Sequence, residues 1–160
     1  DYHDPKQVLG SIPIPFARIN YFTFDSKCEL LAIVCDEGKS IQLWSVMELK
    51  LIAKFKRGFR SAEVSGLAFD HLSNYFIMTT RRGTMHVFEI PSTKDSKDTS
   101  KVIRSAFNFE LQKKTEFNYQ FDNAGYIISG ISDDGCFQQL RLDIDKKVII
   151  PLSNPIQIEM

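Results

Sequence analysis

The sequence predicts an all-β fold, a β-propeller of four-stranded antiparallel blades of WD-repeat type, and three observations carry that expectation. First, the dipeptide Phe-Asp occurs at Phe24-Asp25, Phe69-Asp70 and Phe121-Asp122, and 13 residues after each aspartate stands a glycine preceded by a charged residue: Gly38, Gly83 and Gly135. Second, an apolar run precedes each glycine turn and an alternating run follows it, which is the pattern of a hairpin. Third, 13 Phe, 5 Tyr and one Trp in 160 residues, together with many Val and Ile, favour strands over helices.

Residues 16–56 form the first expected blade, with strands near 19–24, 30–34, 40–44 and 49–55. Residues 57–111 form the second, with strands near 64–69, 75–78, 84–88 and 102–111, and residues 112–160 form the third blade and a C-terminal tail, with strands near 117–121, 126–128, 136–142 and 148–152. Residues 1–15, with three prolines, read as the end of a preceding blade and its connection. The first two glycines are 45 residues apart, the spacing of a WD-type blade of about 40–45 residues, and the next two are 52 apart. The excess falls in 92–101, a polar loop of Ser, Thr, Lys and Asp with too little apolar area to order itself. Propellers close with about 4–8 blades, so three units imply completion by remaining blades from the same protein or another chain.

Twenty basic and twenty acidic side chains give a net charge of zero, which argues against a general nucleic-acid binder; any anion site must be local. Cys28, Cys35 and Cys136 form no CxxC pair and read as reduced thiols of a cytoplasmic protein. No apolar run reaches the ~18 residues that span a bilayer. There is no nucleophile elbow, HExxH, DxDxDG or glycine-rich phosphate loop, so the chain is expected to be no enzyme and to hold no metal or cofactor. Asp36-Glu37-Gly38 and Asp133-Asp134-Gly135 repeat the blade's hairpin turn and read as turn chemistry.

Two basic features remain. Lys56-Arg57 stands in the connection between the first two blades, where adjacent side chains point to opposite sides. The second hairpin, Thr79-Thr80-Arg81-Arg82-Gly83-Thr84-Met85-His86, is basic where the other two are acidic. Hydroxyls, guanidinium groups and an imidazole are the donors that hold phosphate. On residue types alone two bland alternatives stay open: a solvated basic pair, and polar groups that satisfy their own blade.

The run Phe55-Lys56-Arg57-Gly58 resembles the Phe-Arg-Arg-Gly signature of the PROPPINs, seven-bladed WD-repeat propellers that bind phosphoinositides in autophagy and endosomal traffic. The run from Lys54 to Phe69, the hairpin Gly83-Thr84-Met85-His86-Val87-Phe88 and Arg104-Ser105-Ala106-Phe107 are similar to the family's corresponding segments, and the similarity extends from about Ile14 to Asp143, as blades five to seven. The resemblance implies a lipid head-group site of Arg57, Thr84 and His86, helped by Thr80, Arg82 and Arg60. It implies a second, degenerate site at Lys56 and Lys39, where the family's other positions fall on Pro15, Cys35, Glu37 and Gln42; Glu37 would repel a phosphate. The family's membrane-inserting loop corresponds to 92–101, which here has no aromatic or aliphatic residue. The expected function is a non-enzymatic reader of phosphatidylinositol 3-phosphate or 3,5-bisphosphate, peripheral on endosomal, vacuolar or autophagic membranes and working with autophagy or trafficking proteins. The alternative is a WD-repeat protein-interaction scaffold with vestigial lipid sites.

Overall fold

The structure is a computed structural model that describes residues 10–14, 18–91, 102–111, 117–122, 126–132, 134–154 and 156–158. The expected loop 92–101, most of the expected N-terminal connection 1–15 and Asp133 lie outside the described residues. Among the described residues, fourteen strands make three sheets. The first contains β1 (Tyr21–Phe24), β2 (Leu30–Cys35), β3 (Ser40–Ser45) and β4 (Lys50–Lys56), followed at its edge by β8 (Val102–Arg104). The second runs β5 (Val64–Phe69), β6 (Tyr75–Thr80), β7 (Thr84–Glu89), β9 (Phe107–Glu110). The third runs β10 (Phe117–Phe121), β11 (Ile127–Ser132), β12 (Cys136–Asp143), β13 (Val148–Pro151), with β14 (Ile156–Gln157) also pairing β12. The leading strands β1, β5 and β10 lie side by side, the arrangement of successive propeller blades.

The sequence markers have clear local roles. The Asp25 carboxylate accepts backbone N–H groups of Glu29 (2.8 Å) and Leu30 (2.9 Å), closing the β1–β2 turn, and accepts the Ser73 hydroxyl of the next blade at 2.9 Å. Asp70 repeats the local part of this, accepting Tyr75 N–H at 2.7 Å and Leu72 N–H at 3.3 Å. Gly38, Gly83 and Gly135 have φ of 79°, 80° and 77°, a left-handed conformation that side chains disfavour, which explains why glycine recurs there.

Alternation along the strands sends one set of side chains to each neighbouring sheet. From β7, Phe88 joins Phe55 and Phe76 between the first and second sheets, stacked on Phe76 at 4.8 Å, while Met85 and Val87 join Tyr119, Ile128 and Leu140 between the second and third. The opposite side of the first sheet buries Ile33, Cys35 and Trp44 with Ile12 and Ile14. Phe22, Phe24, Ile131 and Ile156 remain exposed on the two end sheets.

Two expectations need correction. Residues 102–111 do not form one strand of the second blade. The stretch breaks at Ser105-Ala106, where Ala106 N–H bonds Val87 O, and only β9 completes the second sheet. β8 instead runs parallel to β4, with Lys54, Phe55 and Lys56 opposite Val102, Ile103 and Arg104, so the sheets are not wholly antiparallel. The outer edge of β4 offers unpaired backbone groups, and pairing there packs Ile103 against the Phe55 cluster. The expected last strand near 148–152 is β13, which pairs one half of β12, and the further short strand β14 pairs the other half.

Candidate anion site

The end of β4 and the start of β7 converge on one corner between the first two blades. Because Thr84, His86 and Phe88 alternate with the core residues Met85 and Val87, they share the face of β7 turned toward the first blade. Phe88 fills the core, and His86 stands one step nearer the rim, its ring 6.4 Å from that of Phe88. His86 is 6 % exposed, and neither of its ring nitrogens has a hydrogen-bond partner. Burial first, and the Arg57 charge second, push its pKa down to about 4. A buried imidazole without partners is costly, and most such groups in native proteins are satisfied.

Arg57 reaches this corner from the loop after β4. Its backbone N–H bonds Lys39 O at 2.9 Å, its Nε donates to Gly38 O at 2.7 Å, and its Nη2 donates to the carbonyl of Arg60. These contacts hold a half-buried guanidinium in place without neutralising it. Burial lowers its pKa, and the nearby Arg82 charge lowers it further. Cationic Arg57 and Arg82 and a polar His86 therefore converge, and an anion would be stabilised by charge and by donated hydrogen bonds.

The other expected members divide. Thr84 shares the His86 face and is half-exposed, while Arg82 is exposed at a cleft of about 690 Å³ with Arg18, Glu37, Glu63 and Arg81. The Arg60 side chain is exposed, and its carbonyl anchors Arg57. Thr80 closes its own turn: its hydroxyl accepts Thr84 N–H and donates to Thr84 O, both at 3.4 Å. For Thr80 the own-blade alternative describes what the side chain does. Glu110, which pairs with Thr84 across β9, is a nearby carboxylate that sequence reading missed; only the β7–β9 register places it there.

Lys56 and Lys39 line a separate pocket of about 330 Å³ with Ser40, Gln42, Lys54 and Phe59. Lys39 is paired with Asp36 at 3.5 Å and Glu37 at 3.2 Å. Gln42 accepts the Trp44 indole N–H at 3.0 Å, and Cys35 is buried with its thiol pKa raised by burial and by Asp36. Lys56 holds its ammonium 4.0 Å from the centre of the Phe59 ring. Lys54 and Ser40 were missed from sequence, although β3–β4 register puts Ser40, Gln42, Lys54 and Lys56 on one face. Pro15 lies outside the described residues.

No family model matches the chain. Over 133 residues it is 25 % identical to Autophagy-related protein 18 of Meyerozyma guilliermondii, covering 82 % of this chain and 22 % of that protein. Over 157 residues it is 24 % identical to Autophagy-related protein 18e of Arabidopsis thaliana, covering 88 % of this chain and 42 % of that protein. Among solved structures it is similar to Kluyveromyces lactis Hsv2, with a TM-score of 0.74 at 17 % identity over 98 % of this chain and 53 % of that one. These likenesses support a PROPPIN family assignment.

The propeller fold itself extends more widely. The Cps50 (Swd1) β-propeller domain of Myceliophteria thermophila matches with a TM-score of 0.63 at 11 % identity, over 95 % of this chain and 42 % of that one. The chain spans between about a fifth and two fifths of the length of these two Autophagy-related relatives, and about half that of Hsv2. Of the residues that the PROPPIN resemblance implies, Arg57, Arg82 and His86 are together at one corner, whereas Lys39 is engaged by Asp36 and Glu37.

Proposed function

We propose that this chain contributes the head-group site of a non-enzymatic, phosphoinositide-binding peripheral membrane protein of autophagy or endosomal traffic. The observation that carries the reading is the corner itself: a buried imidazole with no partner beside the cationic pair Arg57 and Arg82. A phosphate of phosphatidylinositol 3-phosphate or 3,5-bisphosphate would accept from Arg57 and His86, with Thr84 and Arg82 at the mouth and Arg60 in the adjoining loop. A monoester dianion would favour a protonated His86, so binding and proton uptake would be linked. Among the described residues no helix is long and apolar enough to cross a membrane. The exposed apolar residues on the two end sheets support completion of the ring by further blades, from the same protein or another chain.

The engagement of Lys39 by Asp36 and Glu37 favours a second reading for the Lys56 and Lys39 position alone, that of a vestigial site on a protein-docking scaffold. Flotation of the full-length protein with vesicles separates the two. Vesicles bearing either lipid, but not plain vesicles, should recruit the protein, and raised salt should weaken the interaction. Replacing both Arg57 and His86 with alanine should abolish recruitment while the circular dichroism spectrum is kept; recruitment unchanged by that pair would overturn the assignment.

A further inference from the structure

The connection from β4 to β5 carries a side chain that neither the core nor the anion site uses. Phe59 is 78 % exposed, two residues after Arg57 and one before Arg60. It stands beside Gly58, around which a Cβ would meet nothing within 4 Å, so there is open space next to the loop at that point. One neighbour of the ring is the Lys56 ammonium, 4.0 Å from its centre. Val102, at the start of β8 and 50 % exposed, lines the same pocket as Phe59, as do Lys54 and Lys56. Among the described residues neither of these two lysines forms an ion pair. Two exposed apolar side chains thus sit beside Lys54 and Lys56 on the rim that carries Arg57, in a pocket whose one carboxylate, Asp36, is paired with Lys39.

We infer that Phe59, supported by Val102 and ringed by Lys54 and Lys56, is a membrane-contact patch that enters the interface of an anionic bilayer while the Arg57–His86 corner holds a head group. This rests on the phosphoinositide reading above. A water-facing Phe gains nothing from burial in the folded chain, and transfer of its exposed area from water is favourable. The lysine stems lie along the apolar surface while their ammonium groups meet lipid phosphates, the arrangement of an interfacial anchor. Each lysine near an anionic surface adds about fivefold to binding. An acidic protein segment would match the charges but has less use for a ring projecting from a loop.

The test uses the full-length protein, a soluble inositol bisphosphate head group, and vesicles containing phosphatidylinositol 3-phosphate and phosphatidylserine. Phe59→Ser should keep the affinity for the soluble head group and lose vesicle affinity by about tenfold. Lys54→Gln with Lys56→Gln should lose vesicle affinity in a salt-dependent way. Phe59→Trp should show, as a difference from the parent, emission that shifts to the blue on vesicle binding and is quenched by brominated acyl chains. Vesicle affinity unchanged in Phe59→Ser, or a difference emission of Phe59→Trp that is insensitive to brominated lipid, overturns the inference while leaving the head-group site standing. Loss of binding to an acidic peptide probe in Phe59→Ser, with vesicle binding kept, would assign the patch to a protein partner and likewise overturn it. If the parent binds neither soluble head group nor vesicles, the phosphoinositide reading falls, and this inference with it.

Discussion

His86 should make the folded protein sensitive to mild acid. Its ring is 6 % exposed, and burial and Arg57 hold its pKa at about 4, against about 6.5 in the unfolded chain. The folded state therefore binds fewer protons than the unfolded state between those values. The stability His86 confers by staying neutral is present above about pH 6.5 and is lost as pH falls toward about 4. The gap in pKa corresponds to roughly 3 kcal/mol. Urea unfolding of the parent and of His86→Gln, at intervals from about pH 7.5 to about pH 4, isolates this contribution, because every other titrating group is shared. The parent should lose roughly 3 kcal/mol more than the variant across that window. Parallel curves for the two proteins would refute the reasoning, since an imidazole that ionises freely in the fold cannot be buried without partners.

Three other predictions follow from the geometry. Asp25→Ala removes a carboxylate that accepts three hydrogen bonds, one of them from the second blade, and should cost about 2–4 kcal/mol, seen as a Tm lower by roughly 5–15 °C in calorimetry. Gly38→Ala would place a Cβ 2.2 Å from the Ala62 carbonyl oxygen in a residue with φ of 79°, and the urea midpoint should fall by the equivalent of about 1–3 kcal/mol. Glu37→Asn keeps a side chain that tolerates the left-handed φ of 54° and releases Lys39 from one ion pair. Calorimetric titration with a soluble head group should then show stoichiometry rising from one site toward two.

The repeating skeleton was legible because its physical causes are local. A turn aspartate, a left-handed glycine and alternating strands recur at fixed spacing, and Asp25 with Gly38 and Asp70 with Gly83 show the same roles in the structure. The division of 102–111 was not legible. Its apolar content suits one long strand, and only the free edge of β4 and the room beside Phe55 draw Val102–Arg104 into the neighbouring sheet. At the site, residue types and family resemblance pointed to Arg57, Arg82 and His86, which the fold places together. The resemblance could not tell that the Thr80 hydroxyl serves its own turn, that backbone carbonyls of Gly38 and Arg60 hold Arg57, or that Glu110 lies across from Thr84. Each of those depends on strand register or on loop shape, which residue types do not encode.

The central claim is that the corner of Arg57 and His86 receives a phosphate, and the most direct measurement is the titration of the His86 ring by NMR with and without soluble inositol 1,3-bisphosphate. Without ligand the ring should titrate at about 4, as its burial beside Arg57 requires. With ligand bound, its resonances should move and its pKa should rise toward or above the ordinary value of about 6.5. A His86 whose resonances and pKa are the same at saturating head group would contradict the account.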